Sequence, residues 1–542
     1  MGGAIGIGIG IPFSSTIGAG ASPFRPVVET QQWDEVGYLN GSNTVDIEVY
    51  GVVVTDNGFP ITGTNGTYAR MYFGTNPSLK SNPFQDFTYP VAPGVSQSAT
   101  FTGLTPGATY YYGIIAENSE GKAQGQTIEI TAPEINMEIE MDTRITFDSN
   151  LSNVEVRLPF APVTYSEEPQ FNLDITVDWG DGQTDSYTSN PATINDAPFH
   201  TYATPGIYKI TILPNGRGIE GWSFTASQSD AHEYGSIKLV NILQWGDMVM
   251  GSDLNTGSNF GFNSTRYWYE AQCLGAIVAP DTPIITGNVI RSWQINWGNR
   301  RQFETGLPKD QNITNIANWD MRTLERLEGL FSSCDTFNGD VSKWYTPNLK
   351  IASSLFDGCF SFSGQVGDWN TSSAEKLTAL FSLAIQFNSD CSTKAVNRKA
   401  VQGRNYPTFT DTAWDVSNVY DFAALFNGCQ SFDNGGNPDG LATWNLRQSA
   451  APSGEVYNMS SMFFGTPFNG DISGWQVGFV RKFESMFRNN VVFNQDIGGW
   501  DFSSLATGSC SVGSIIFFLR GATAFNQDIS NWNLTGAGGL NG

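Results

Sequence analysis

The 542-residue chain carries a formal net charge of −24, with 15% charged residues and 13% aromatics. That balance excludes recognition of a phosphate backbone, which needs clustered Lys and Arg, and it disfavours docking on an anionic lipid surface. Two histidines in all exclude a His-rich metal site, and the length leaves room for three or four domains.

The chain begins with GGAIGIGIGIPF (Gly2–Phe13), in which Ile5, Ile7, Ile9 and Ile11 alternate with glycines. Period two reads as a strand with one apolar face and one bare face, and the bare face lets another backbone approach closely. No Lys or Arg precedes Arg25 and glycines interrupt the apolar run, which fits neither a secretory leader nor a membrane span. An ordinary first strand is one reading. The other is an anchoring strand over residues 1–25 that inserts into a partner, with the four isoleucines as the assembly anchor. It is preferred because such a strand, left unpaired, is sticky.

Residues 26–132 read as a first β-sandwich, with short alternating runs (VDIEVYGVVV, ARMYFG, ATFTGL) separated by turn clusters such as DNG and GTNG. Within it LTPGATYYYGIIAENSEGKA (Leu104–Ala123) is similar to the closing strands of fibronectin type III domains. The resemblance implies an immunoglobulin-like sandwich in which Tyr110 is the corner tyrosine, its hydroxyl tying the chain back on itself. No RGD tripeptide is present, and the module is read as a spacer.

Residues 133–235 form a second sandwich. VDWGDGQTDSY (Val177–Tyr187) followed by HTYATPGIYKITI (His200–Ile212) resembles the PKD domain. Acid–base chemistry or a metal at Asp178, Asp181 and His200 is one reading. The adopted one is structural: Gly180 and Gly182 shape a turn, Trp179 packs, and His200 bonds locally. From Ser236 the segment SIKLVNILQWGDM resembles the lead-in joining such modules to a repeat array, so residues 236–312 are expected to be degenerate capping coils.

From Ile313 to Leu534 the chain repeats itself about eight times, as in FNGDVSKW (Phe337–Trp344), FNGDISGW (Phe468–Trp475) and FNQDISNW (Phe525–Trp532). The commonest step between tryptophans is 25 residues, and longer steps hold insertions such as Cys391–Asp411. A fixed period of this size signals units that bury their apolar sides only by stacking. The spacing in NMSSMFF (Asn458–Phe464) and KFESMFR (Lys482–Arg488) predicts a short helix, and DISGW and DISNW predict a strand. The units resemble the repeats of BspA-type bacterial surface proteins, the DUF285 repeat. The resulting fold class is multidomain and mainly β: two immunoglobulin-like sandwiches followed, over residues 236–542, by a leucine-rich-like α/β solenoid of about 25-residue repeats.

Three residue rows recur in the repeats. The tryptophans are core if they face inward and a sugar platform if they face outward; the Ile or Val three residues earlier favours core. Asp340, Asp390, Asp471, Asp496 and Asp528 each stand three after a Phe and read as turn caps, with a calcium-binding edge as the alternative. A glycosidase pair is disfavoured because Gln365 and Gly435 occupy the same site in other units. Cys334, Cys359 and Cys429 align with Ala384, Asn490 and Ala522, which suits buried, inert thiols. A Cys334–Cys359 bridge is left open, and without a CxxC pair zinc is not expected.

No catalytic, cofactor-binding or metal residue is therefore assigned, and the ligand-binding residues are undefined. The expected function is a non-enzymatic surface protein of a bacterial virus, a fibre or decoration protein. Its amino-terminal strand would join other virion proteins, and its repeats would meet a host protein or glycan, with the loops Cys391–Asp411, Asn434–Thr443 and Arg447–Glu455 as the variable surface. No nucleic acid and no membrane insertion are expected, and homo-oligomerisation is left open. The alternatives are a BspA-type adhesin on a bacterial cell surface and, less favoured, a carbohydrate-active enzyme.

Overall fold

The computed structural model describes residues 25–30, 38–39, 44–132, 134–144, 154–158, 160, 173–188, 197–215, 219, 238–246, 248–250, 276–279, 283–285, 289–290, 312–313, 316–322, 324–397, 410–506 and 515–534. The Gly/Ile segment, with Ile5, Ile7, Ile9 and Ile11, lies outside the described residues. Two compact units divide the chain, one drawn mostly from residues up to Asn136 and the other from Met137 onward.

The first unit is two antiparallel sheets over one core. β1 (Val27–Thr30), β2 (Tyr38–Leu39), β3 (Val45–Thr55) and β6 (Ser96–Leu104) form one, with β1 and β2 paired to opposite ends of β3 and β6 along it. The other has β5 (Phe84–Asp86), β4 (Tyr68–Gly74), β7 (Thr109–Asn118), β8 (Gly121–Gln124) and β9 (Ile128–Thr131). Alternation decides which residues enter the core: Val45, Ile47 and Val49 of β3 are fully buried against Met71, Tyr112 and Ile114. The Tyr110 hydroxyl accepts the Thr105 N–H at 3.0 Å, as the corner-tyrosine expectation requires.

In the second unit β10 (Met137–Asp142), β12 (Ile175–Asp178), β13 (Thr184–Tyr187) and β15 (Ile207–Pro214) make an antiparallel sheet, beside the pair β11 (Glu155–Arg157) and β14 (Phe199–Thr201). The same sheet continues through β16 (Leu239–Gln244), antiparallel to β10, and then changes sense: β16 pairs in parallel with β18 (Ala276–Ile277), and β18 with β21 (Asn312–Ile313). Further parallel steps join β17 (Val249–Met250) to β19 (Ile284–Ile285), and β20 (Val289–Ile290) to β22 (Arg326–Leu327). Single parallel bridges then run Arg326–Ile351–Lys376–Asp421–Asn458–Lys482. One apolar core extends from Met137 to Phe518.

The repeats contain no helix where one was expected, and the α/β label is corrected: among the described residues the only helical turns are the 3-10 segments Ile316–Asn318, Pro438–Thr443 and Ser503–Ala506. The reason is two left-handed residues four apart in each unit. They are Ser354 and Gly358, Ala379 and Leu383, Ala424 and Gly428, Ser461 and Gly465, and Ser485 and Asn489, with φ between 52° and 74°. An α-helix cannot contain them. Instead alternate N–H groups point out of the unit: Phe422, Ala424, Phe426 and Gly428 donate to the carbonyls of Asn458, Ser460, Met462 and Phe464 in the next repeat. Met459, Ser461, Phe463 and Gly465 donate in the same way to Lys482, Glu484, Met486 and Arg488. Four such bonds, each worth about 1 kcal/mol net, offset the backbone strain. The apolar spacing of three and four thus comes from two successive turns.

The DISGW strand is also corrected. Trp475 N–H donates to the Ile472 carbonyl at 3.1 Å, closing a β-turn, and the parallel pairing falls on Asn458 and Lys482 instead.

Candidate interaction surface

What faces inward in the repeats is fixed by ladders of identical side chains. Phe331, Phe356, Phe381, Phe426, Phe463 and Phe487 stack in one column with centroids 5.6–6.0 Å apart. A second column begins Phe337, Phe362, Phe387, Phe432, Phe468 at 5.8–6.0 Å, each ring also lying 3.8–4.5 Å from its partner in the same repeat.

The tryptophans form a third column. Trp344 and Trp369 stack at 5.7 Å, Trp444 and Trp475 at 5.7 Å, and Trp475 and Trp500 at 6.4 Å, all nearly parallel. From Trp344 onward the indole N–H groups donate to carbonyls of an earlier repeat: Trp369 to Val341 at 3.0 Å, Trp414 to Val366 at 2.9 Å, and Trp500 to Ile472 at 3.2 Å. This explains why an Ile or Val precedes most of these tryptophans by three: the side chain fills the core and its carbonyl receives the next indole, whereas Trp414 follows Asp411 and the Trp444 indole turns to the Cys391 carbonyl instead. The rings are core, so the outward sugar platform is not formed. Trp532 departs from the expected register, being half-buried and edge-on to Phe502 and Phe518 while still donating to Ile497 at 2.9 Å.

The four described cysteines, Cys334, Cys359, Cys391 and Cys429, are buried free thiols, so Cys334 and Cys359 are not bridged. Cys359 Sγ–H donates to the Phe331 carbonyl at 2.8 Å and Cys429 to that of Phe381 at 2.9 Å. Burial pushes the Cys359, Cys391 and Cys429 thiols up, which removes the thiolate a nucleophile requires. Asn490, at the equivalent position, donates its amide to a different carbonyl of the preceding repeat, that of Phe468 at 2.8 Å.

The aspartate row lies at the turns. Asp340, Asp390, Asp471, Asp496 and Asp528 each accept, on Oδ1, the N–H two residues on, at 2.9–3.0 Å. The bonds from Ser473 and Ser530 hold Asp471 and Asp528 below the usual carboxylate range. For Asp390 burial works the other way, but Ser392 and Lys394 overcome it. Among the described residues no three His, Cys, Asp or Glu side chains gather as metal ligands.

Beside this row runs a ladder that reading by residue class missed. Asn338, Asn469 and Asn494 accept, on Oδ1, the N–H of Ser363, Asn494 and Asn526 in the following repeat, at 2.8–2.9 Å. Asn388 receives both Asp433 and Gly435 N–H. The signal was the Asn that follows Phe in FNGD and FNQD. The loop Asn434–Thr443, expected to be a variable binding loop, is partly turned inward: Asn434 is wholly buried, accepting Cys391 N–H at 2.7 Å and donating to Ser392 Oγ at 3.1 Å. The insertion Cys391–Asp411 begins and ends as a hairpin of β23 (Lys394–Asn397) and β24 (Thr410–Ala413), and its tip lies outside the described residues. From the third loop Glu455 reaches back to Lys376 at 2.8 Å.

The residues around the Trp179–Gly182 turn bond to one another. His200 Nε2 and Asp181 Oδ2 lie 2.8 Å apart, and the imidazole stacks on Trp179 at 5.1 Å. Burial raises the Asp181 carboxyl, but the bonds from His200 and Gln183 outweigh it and hold the group low. Trp179 donates to Asp185 at 2.8 Å, and Tyr202 to the Trp179 carbonyl at 2.9 Å. Gly180 has φ +77°, and a Cβ there would collide with the Lys209 carbonyl. In the first unit a groove of about 660 Å3, unseen in the sequence, is lined by Phe73, Phe84, Phe101 and Tyr110 with neutral polar groups such as Asn76 and Gln85.

Residues 301–406, 404–510 and 440–539 each match the model of the family described as Mycoplasma protein of unknown function, DUF285. The repeats are therefore similar to the DUF285 repeat. The matched span, 301–539, includes the described residues that carry the Phe and Trp columns. No curated protein matches the chain. Among the described residues no helix is long and apolar enough to cross a membrane.

Proposed function

We propose that the chain is a non-enzymatic recognition protein of the BspA type, displayed on a surface, whose DUF285 repeats form a solenoid that meets the partner. The observation that carries this is the ladder architecture: bonding and stacking groups are spent between repeats, leaving loops and repeat faces as variable surface on a fixed frame. Among the described residues the thiols are buried, the aspartates of the row cap turns and His200 is engaged with Asp181, which supports the non-enzymatic reading. The strand orders of the first unit and its Tyr110 corner support a fibronectin type III-like module, and the WGDG geometry around His200 supports a PKD-like one.

The more specific placement, on the particle of a bacterial virus, is supported by the Gly/Ile pattern of Ile5 to Ile11, which suits insertion into a partner sheet. The DUF285 match favours the second placement, a bacterial cell surface. The test of recognition is binding of the labelled full chain to panels of bacterial cells and immobilised glycans, with turnover assayed in parallel. Saturable binding without hydrolysis is expected; hydrolysis lost on Asp496→Asn or Asp528→Asn would overturn the reading. Deleting residues 2–21 should leave folding intact and abolish joining to the particle if the viral placement holds.

A further inference from the structure

The last repeats hold two cations that the protein itself does not use. The carbonyls of Asp357, Ser382, Asn427, Phe464, Arg488 and Arg520 accept the N–H groups of Ser333, Gly358, Leu383, Gly428, Gly465 and Asn489 in turn. These six residues therefore occupy one position in successive repeats and form one column on the stack. Its early members satisfy one another: Asn427 donates to Ser382 Oγ at 3.2 Å, and Ser382 also bonds to Asp357. Its last members do not. The Arg488 guanidinium lies 5.5 Å from the Phe464 ring and 5.2 Å from the Phe517 ring, and that of Arg520 lies 4.8 Å from Phe517. Two cations thus share one aromatic ring.

Rings rather than protein acceptors lie beside them. Arg488 Nε is buried without an acceptor, and among the described residues neither guanidinium meets a carboxylate. The sequence from Phe502 to Gly542 holds a single acid, Asp528, whose Oδ1 already takes the Ser530 N–H. In a chain of net charge −24 an adjacent, unpaired arginine pair is a local exception, and like charges placed side by side oppose folding unless an anion joins them.

We propose that Arg488 and Arg520, framed by Phe464 and Phe517, form a binding site for the carboxylates of an acidic saccharide such as a hexuronate. The proposal rests on the recognition reading above and names the ligand class of one face. A guanidinium presents parallel donors that match a carboxylate bidentately. Two of them in successive repeats suit acidic groups on adjoining sugars, while the Phe edges offer apolar contact to a pyranose ring. The acidic remainder of the molecule opposes long, dense polyanions such as nucleic acid, so a short or sparsely charged ligand is selected.

The test uses the full chain and calorimetric titration with a hexuronate tetrasaccharide, a neutral tetrasaccharide of the same linkage, an acidic peptide and inorganic sulfate. Hexuronate binding that weakens as salt is raised is expected, with at least a tenfold loss of affinity in Arg488→Gln/Arg520→Gln, no loss in the control Arg322→Gln, whose guanidinium is paired with Asp320 at the start of the repeats, and no binding of the neutral sugar. Unchanged circular dichroism and melting temperature certify that the double variant is folded. Arg488→Lys/Arg520→Lys keeps the charge and loses the fork, so its partial loss is a second readout should the first variant misfold. Hexuronate binding equal in wild type and folded variant, or none at millimolar ligand, overturns the site. Tighter binding of the acidic peptide overturns the saccharide assignment, and equal binding of sulfate overturns the bidentate recognition. Cell binding that survives the double variant removes only this site, whereas loss of all cell binding by wild-type protein removes the recognition reading itself.

Discussion

The first sandwich and the repeat stack solve the same burial problem with opposite bookkeeping. In the sandwich each fastener occurs once: Tyr110 ties one corner, Thr30 Oγ1 accepts Ile114 N–H at 3.2 Å, and β3 meets β6 across some fifty residues of sequence. In the stack each fastener occurs in nearly every unit, so the same indole-to-carbonyl bond, Phe pair and capping Asp recur down the molecule. A sandwich is closed by contacts made far apart in sequence. A stack is stabilised mainly by interfaces between neighbours, and one defect damages both adjoining interfaces while leaving distant ones intact.

Four experiments sharpen that contrast. The largest effect is expected from Trp500→Ala, which removes a ring stacked on Trp475 and the indole bond to Ile472. Its cost is about 3–5 kcal/mol, read by calorimetry as an earlier repeat transition with the sandwich transition unmoved. An unshifted repeat transition would contradict the ladder description. Asn434→Ala strips Cys391 N–H of its acceptor inside the core and should cost about 2 kcal/mol. Hydrogen exchange should then quicken at Cys391 and its neighbours while β3 and β7 keep their protection.

A smaller loss, about 1 kcal/mol, is expected for Tyr110→Phe. It should fall entirely on the sandwich, visible as a lower denaturant midpoint for that unit alone. Smallest is Asp421→Asn, with a gain of a few tenths of a kcal/mol. Burial raises the Asp421 carboxyl despite the bond from Ala423 N–H, and the next repeat already places Asn458 there, accepting Ser460 N–H in the same way.

The two classes of carboxylate give opposite pH signs. A raised group such as Asp421 binds its proton more tightly in the folded state, so acidification through that raised value adds stability, and Asp421→Asn should remove this gain. Depressed groups such as Asp471 and Asp528 contribute fully above the ordinary carboxylate pKa and lose that contribution as pH falls through their lower folded values. Melting temperature against pH, in wild type and Asp421→Asn, separates the two.

The sequence by itself determined what repeats, and at what spacing. Trp and Phe recur in fixed order because each stacks on its copy in the next unit, and Asp and the small residues recur because each fills the same turn or core position in every unit. Buried thiols at Cys334, Cys359 and Cys429 and capping at Asp340 and its counterparts were legible for that reason, whereas the Tyr110 bond was legible only from the resemblance of its local segment. Only the tertiary structure decided the backbone path of each repeat. Met459, Met462 and Phe463 carry helical spacing, yet Ser461 and Gly465 adopt left-handed φ because N–H groups directed at the next repeat gain more than an isolated short helix would. Likewise nothing local to Asn338, Asn469 or Asn494 shows that its amide serves the following unit, nor that Arg488 and Arg520, 32 residues apart, stand beside one ring. Those juxtapositions arise across the stacking interface, which exists only once the units have packed.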